Sequence, residues 1–150
     1  MANEMMIFNP NQIETAVNNG GVWSTFLPET AAEKAQLFRA LESSDEKISD
    51  YINKDITIAN IVFSTVEVTS VNVEDVDPET GEVKMIERPK TVIIDDKGKT
   101  YSSVASGIFS SMKNLLAVFG LPDTWEKPMT VTIRLVNTKK GQTYRVDPKF

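Results

Sequence analysis

The chain has 150 residues, 41% of them hydrophobic and 25% charged, with a formal net charge of −5 and neither cysteine nor histidine. A chain of this length can bury one core of useful size, and the two missing residue types exclude disulfides, thiolate nucleophiles, Cys- or His-ligated metals, a Ser/His/Asp triad and a histidine general base. Only carboxylate, lysine or tyrosine chemistry is left to an enzyme.

Residues 1–29 carry turn chemistry at Asn18-Asn19-Gly20-Gly21 and Leu27-Pro28 and show no sustained periodicity, which predicts an extended N-terminal arm. Its isolated Phe8, Trp23 and Phe26 are available to dock elsewhere. The first residues lack the charged and long apolar regions of a secretory signal, and no stretch approaches the ~18 apolar residues of a membrane span, so the expectation is a soluble intracellular protein. Thr30-Ala31-Ala32-Glu33 reads as a capping box that opens a helix to about Ser43 with a narrow apolar stripe of Leu37, Phe38 and Leu41. A short helical turn is expected at Ile48, Tyr51 and Ile52, after Ser44-Asp45-Glu46.

Three strand-like runs come next: Ile56 to Val68, a second centred on Thr91-Val92-Ile93-Ile94, and Thr100 to Val104. The first two are separated by the charged turn Asp75 to Glu82, the next two by Asp95-Asp96-Lys97-Gly98-Lys99. Ile108, Met112, Leu115, Leu116 and Phe119 then fall at helical spacing. Ser103 or Ser106 is placed to cap that helix, and Gly120-Leu121-Pro122 supplies its stop. In Met129 to Val136 apolar and polar residues alternate, and Gln142 to Val146 returns after the turn Asn137 to Gly141. Phe63, Phe109 and Phe119 read as core, and Trp125 as a plug for the end of the domain.

Three strands, a helix and two strands is the order of an OB-fold. The predicted fold is therefore mainly β with helices (α+β): a five-stranded OB-fold barrel at about 55–147 with a helix between strands three and four. It carries an N-terminal helical appendage, so that residues 30–150 form one domain behind the arm.

Three segments resemble the small single-stranded-DNA-binding proteins of bacteriophages that infect Gram-positive bacteria. They are Asp50-Tyr51-Ile52-Asn53-Lys54, the run Val92 to Ile108, and Leu116 to Pro122 with Trp125; the Thr138-Lys139-Lys140-Gly141 hairpin is similar too. The resemblance spans roughly residues 38–146. It implies a non-enzymatic role in DNA replication or recombination, without cofactor, in the cytoplasm of the infected bacterium. The implied partner is single-stranded DNA, with phage or host replication and recombination proteins as further candidates and no membrane.

The charge distribution agrees with such a partner. Residues 1–75 hold 4 basic and 12 acidic side chains, a balance of −8, whereas from Lys84 onward the count is 12 basic against 6 acidic, or +6. Sequence-tolerant binding to a single strand needs cations along the phosphates and aromatic faces for the bases. In an OB-fold these sit on strands two and three and on the loops joining strands one to two and four to five. The candidates are Arg88 and Lys90 leading into strand two, Lys97 and Lys99 in the next hairpin, Tyr101 on strand three, then Arg134, Lys139, Lys140, Tyr144 and Arg145.

Asp95-Asp96 and the pair Asp75 and Asp77 read as turn formers; no metal site and no phosphate-cradling glycine loop is expected. A rival reading makes the acidic N-terminal half a protein-interaction or DNA-mimic module, with Leu37, Phe38 and Leu41 as its docking face and the barrel as scaffold. Strand edges and the arm leave a homo-oligomer open.

Overall fold

The computed structural model describes residues 11–69 and 76–149. Phe8 of the expected arm and Asp75 of the acidic turn lie outside the described residues.

The remainder of the arm is not extended. Asn11–Asn18 forms a helix, α1, whose Ile13 and Val17, one turn apart, are buried in the core. Trp23–Ser24 forms a short strand, β1. One apolar pair gives too little periodicity to read as a helix in sequence; burial of that pair against the sheet supplies the stability that propensity does not.

Ala31–Glu42 is α2, opened by the expected capping box, in which Glu33 N–H donates to the Thr30 hydroxyl and Thr30 N–H to the Glu33 carboxylate. The Thr30 N–H, then the Glu29 N–H and the Thr30 hydroxyl, hold the Glu33 carboxyl below the usual carboxylate range. Glu46–Lys47 is β2, followed by a 3-10 turn at Ile48–Tyr51. The long strand β3 spans Asp55–Thr69, β4 spans Met85–Asp95 and β5 Thr100–Ser103. Helix α3, Ser106–Phe119, separates β5 from β6, Met129–Thr138, and β7 follows at Gly141–Lys149.

Neighbouring strands run in the order β2-β5-β4-β3-β6-β7, with β1 added to β3. The curl arises at β3. Its first residues, Asp55 to Ile58, pair antiparallel with β6, and from Ile58 onward it pairs with β4, with a register slip in that second ladder between Ile58 and Asn60. A bulge there bends and twists the strand, so one strand serves both halves of a mixed α+β, half-barrel sheet. Beyond the bend β1 takes the edge that β6 leaves, with Trp23 opposite Phe63. Pro89 is tolerated in β4 because it pairs with Thr65 on one side, while β5 reaches only as far as Thr91 on the other.

The sheet is buried on both faces, which explains the unbroken apolar runs Ile61-Val62-Phe63 and Val92-Ile93-Ile94. On one face Ile61, Phe63, Ile93, Val131 and Ile133 pack against α1 and the Ile108, Phe109, Met112, Leu115 and Leu116 side of α3. Phe63 meets the edge of Phe109 at 5.2 Å between centroids. On the other face Val62, Val92 and Ile94 pack against Ala40, Leu37, Leu41 and Phe26. Leu37 and Leu41 are thereby spent on the protein's own sheet, and of the stripe invoked as a docking face only Phe38, 62% exposed, points outward.

Two local expectations change, and a third gains its contacts. The cap of α3 is Ala105, without a side-chain cap, although the Ser103 hydroxyl accepts the Ala105 N–H. Phe119 is the last residue of α3 and is 37% exposed rather than core. Trp125 is half-buried against the core, and its indole N–H donates to the Phe119 and Gly120 carbonyls, closing the helix end that Gly120 (φ 80°) turns.

Candidate nucleic-acid interface

The β3–β4 hairpin outruns its neighbour. β5 stops opposite Thr91, so Arg88, paired with Val66, overhangs the end of β5. Tyr144, paired with Leu135 on β6, lies just past the buried Ile133 and Val146 pair, where the core ends. These two overhangs face a common groove of about 600 Å³, with Lys47, Ser49, Ser102 and Ser103 also on its walls. Tyr144 is half-buried, packed against the core on one side. It also borders a second, adjoining depression with Ser106, Ser110, Asn114 and Arg145. A groove with an arginine on one wall and an aromatic ring between two depressions can hold a phosphate and a stacked base.

The three turns that project from the sheet are shaped by their own side chains. At the tip joining β6 to β7, the Thr138 hydroxyl donates to the Gly141 carbonyl and accepts the Lys140 N–H, leaving Lys139 and Lys140 exposed. At the tip joining β4 to β5, one Asp95 oxygen accepts the N–H groups of Lys97 and Lys99, and Lys97 is exposed. In the turn after β3, an Asp77 oxygen accepts the Glu79 and Thr80 N–H groups, which holds its carboxyl below the usual range. Of the aspartates read as turn formers, Asp95 and Asp77 thus each have one oxygen occupied by turn backbone. Among the described residues no group of three or more His, Cys, Asp or Glu side chains is placed to hold a metal ion.

Other candidates are placed differently from what their position in sequence suggests. Tyr101 is 7% exposed and belongs to the core. Its register partner is Ile93, whose side faces α3, so the pleat points the phenol inward. The hydroxyl donates to Asp95 Oδ2 at 2.9 Å, and burial, then the Asp95 carboxylate, pushes the phenol up to about 12. No face of this ring is open to a base.

Lys90 is half-buried with its ammonium 3.4 Å from the Leu41 carbonyl, at the end of α2. Lys99 lies 3.1 Å from Glu46 and 3.5 Å from the Tyr51 hydroxyl, and the Glu46 carboxylate, then that hydroxyl, holds its ammonium above the usual lysine range. Arg134 stands opposite Arg145, 3.7 Å from Asp147, and donates to the Asn53 amide oxygen.

The candidates therefore form a groove set, Arg88, Tyr144 and Arg145, with Lys139 and Lys140 on the turn beyond, and a second set around Lys99 and Arg134. The second set includes Tyr51 and Lys54, which sequence reading did not single out as contacts. Their signal was present, a tyrosine three residues before a lysine inside the Asp50 to Lys54 segment, but it was indistinguishable from a turn that packs on its own domain.

The sequence matches, over residues 16–145, a family described as phage single-stranded DNA-binding protein. No curated protein and no solved structure matches the chain. No helix among the described residues is long and apolar enough to cross a membrane.

Proposed function

The chain belongs to the phage single-stranded DNA-binding protein family, and we propose on that footing that it coats single-stranded DNA with little sequence preference during phage DNA replication or recombination. It acts without catalysis or cofactor, in the cytoplasm of the infected bacterium, with the half-barrel used as an OB-type binding fold. The observation that carries this reading is the shared groove of Arg88 and Tyr144, flanked by the Lys139-Lys140 turn. Arg88, Arg145, Lys139 and Lys140 follow phosphates, and Tyr144 stacks a base.

Backbone neutralisation and stacking do not read base edges, so affinity depends on strand geometry more than on sequence. With about four phosphates neutralised, log K falls against log salt with a slope near −3, from roughly −0.7 per phosphate for single strands. The test is fluorescence anisotropy of a labelled oligo-dT of about 30 nucleotides against a duplex of equal length, at low salt and near 0.2 M. The reading expects tight, salt-sensitive binding to the single strand and much weaker duplex binding. Absence of single-strand binding at low salt sinks it.

A further inference from the structure

Tyr51 ends the 3-10 turn whose Ser49 borders the Arg88 and Tyr144 groove. Its ring is braced from the protein side: Tyr101 meets it in a T-shaped contact at 5.0 Å and 88°, and its hydroxyl lies 3.5 Å from the Lys99 ammonium. The half-buried ring carries the ammonium of Lys54, an exposed side chain, 5.6 Å from its centroid.

The chain is bent to achieve this. Asn53 has φ 65°, the one positive-φ residue other than glycine among the described residues. Left-handed backbone at a non-glycine residue is strained and persists where its surroundings hold it. Here Asn53 N–H donates to the Ile133 carbonyl at 2.6 Å, Ile133 N–H donates to the Lys54 carbonyl at 3.1 Å, and Arg134 donates to the Asn53 amide oxygen. The turn is thus fastened to the flank of β6 with Tyr51, Lys54, Lys99 and Arg134 in one neighbourhood.

We propose that Tyr51 is a second base-stacking residue for single-stranded DNA, one nucleotide station beyond the groove, with Lys54 and Lys99 as its phosphate contacts. The inference rests on the single-strand-binding reading above. A cation on an exposed side chain over a half-buried ring is a weaker contact than a stacked base. An arriving base therefore takes the place of Lys54 on the ring, and Lys54 moves to the adjoining phosphate. Lys99 exchanges Glu46 for a phosphate while remaining beside the Tyr51 hydroxyl. The strand then passes from Tyr144 along the 3-10 turn to Tyr51, around the β2 side of the sheet.

The experiment uses the full chain and oligo-dT of about 30 nucleotides. Tyr51→Leu keeps an apolar side chain against Tyr101 but has no π-face, and Tyr51→Phe keeps the face. Tyr51→Leu is expected to weaken binding about tenfold or more with the salt slope nearly unchanged, Tyr51→Phe to stay within about twofold, and Lys54→Gln to flatten the slope by about 0.7. An oligo-dT carrying 5-iododeoxyuridine, irradiated with the wild-type chain, is expected to crosslink at Tyr51, located by peptide mass spectrometry. This readout stands even if Tyr51→Leu fails to fold. Wild-type binding together with an undiminished Tyr51→Leu variant, or with crosslinks that avoid the peptide containing Tyr51, overturns the Tyr51 station and leaves the groove reading standing. Failure of the wild-type chain to bind removes both.

Discussion

Arg134 on β6 and Arg145 on β7 stand directly opposite one another in the antiparallel register. Like charges in directly opposed positions are destabilising, and one partial remedy is present, Asp147 at 3.7 Å from Arg134. A phosphate placed between the two guanidiniums removes the conflict. Arg145→Ala is therefore expected to leave folding stability unchanged or to raise it by a few tenths of a kcal/mol, while flattening the salt slope for oligo-dT by about 0.7. Thermal melts and anisotropy titrations at several salt concentrations check the two halves. A loss of stability with no change of slope makes Arg145 a structural residue.

Tyr144 and the turn beyond it contribute by different physics, and salt separates them. Tyr144→Ala is expected to weaken binding by about 1–3 kcal/mol with the slope nearly unchanged. The double variant Lys139→Ala with Lys140→Ala is expected to weaken every sequence alike and flatten the slope by about 1.4, twice the per-phosphate value.

Tyr101 is expected to matter for folding and not for DNA. Tyr101→Phe loses the hydrogen bond to the Asp95 carboxylate, at a cost of roughly 1.5–3 kcal/mol in denaturant unfolding, with affinity for oligo-dT unchanged. The phenol is held at about 12 in the folded chain, above the ordinary value near 10. The folded state therefore keeps a proton that the unfolded state releases. The associated stability is intact below about pH 10 and falls as pH rises toward about 12, by roughly 2–3 kcal/mol. Denaturation curves at both ends of that window should show a smaller loss for Tyr101→Phe than for wild type. Equal losses would contradict the buried placement.

Gly107, in the first turn of α3, is a contact point between helix and sheet. A Cβ there would lie 2.3 Å from the Thr143 hydroxyl and 2.7 Å from the Tyr144 carbonyl, the second a backbone atom with little room to move. Gly107→Ala is expected to destabilise by about 1–3 kcal/mol through overpacking. Because the clash is with the backbone of Tyr144 itself, it should also weaken oligo-dT binding, and a variant that melts lower yet binds as wild type would show that Tyr144 is positioned independently of α3.

The sequence carried the local features whose cause is local. The Thr30 to Glu33 capping box, the left-handed Gly120 and the Asp95 turn each depend on residues within a few positions of one another, and each appears in the structure; the alternation expected along β6 is broken where Thr132 is buried together with Val131 and Ile133. Family membership was legible for the same reason, since the segments that carry it are contiguous. Helix α1 was not, because its Ile13 and Val17 become meaningful only against a sheet formed by residues far along the chain.

The candidate site divides in the same way. Charge asymmetry located the cations in the second half of the chain, and alternation said that Tyr101 and Tyr144 each lie on one face of a strand. Which face is buried is settled by neighbours distant in sequence: Ile93 draws Tyr101 into the core, whereas Tyr144 sits two residues from the buried Val146. Likewise only tertiary contact set Arg88 across a groove from Tyr144, sent Lys90 toward α2, and gathered Tyr51, Lys54 and Lys99. Composition and periodicity determined what kinds of side chain the protein offers; the bend in β3 and the two-sided burial of its sheet decided which of them remain at the surface together.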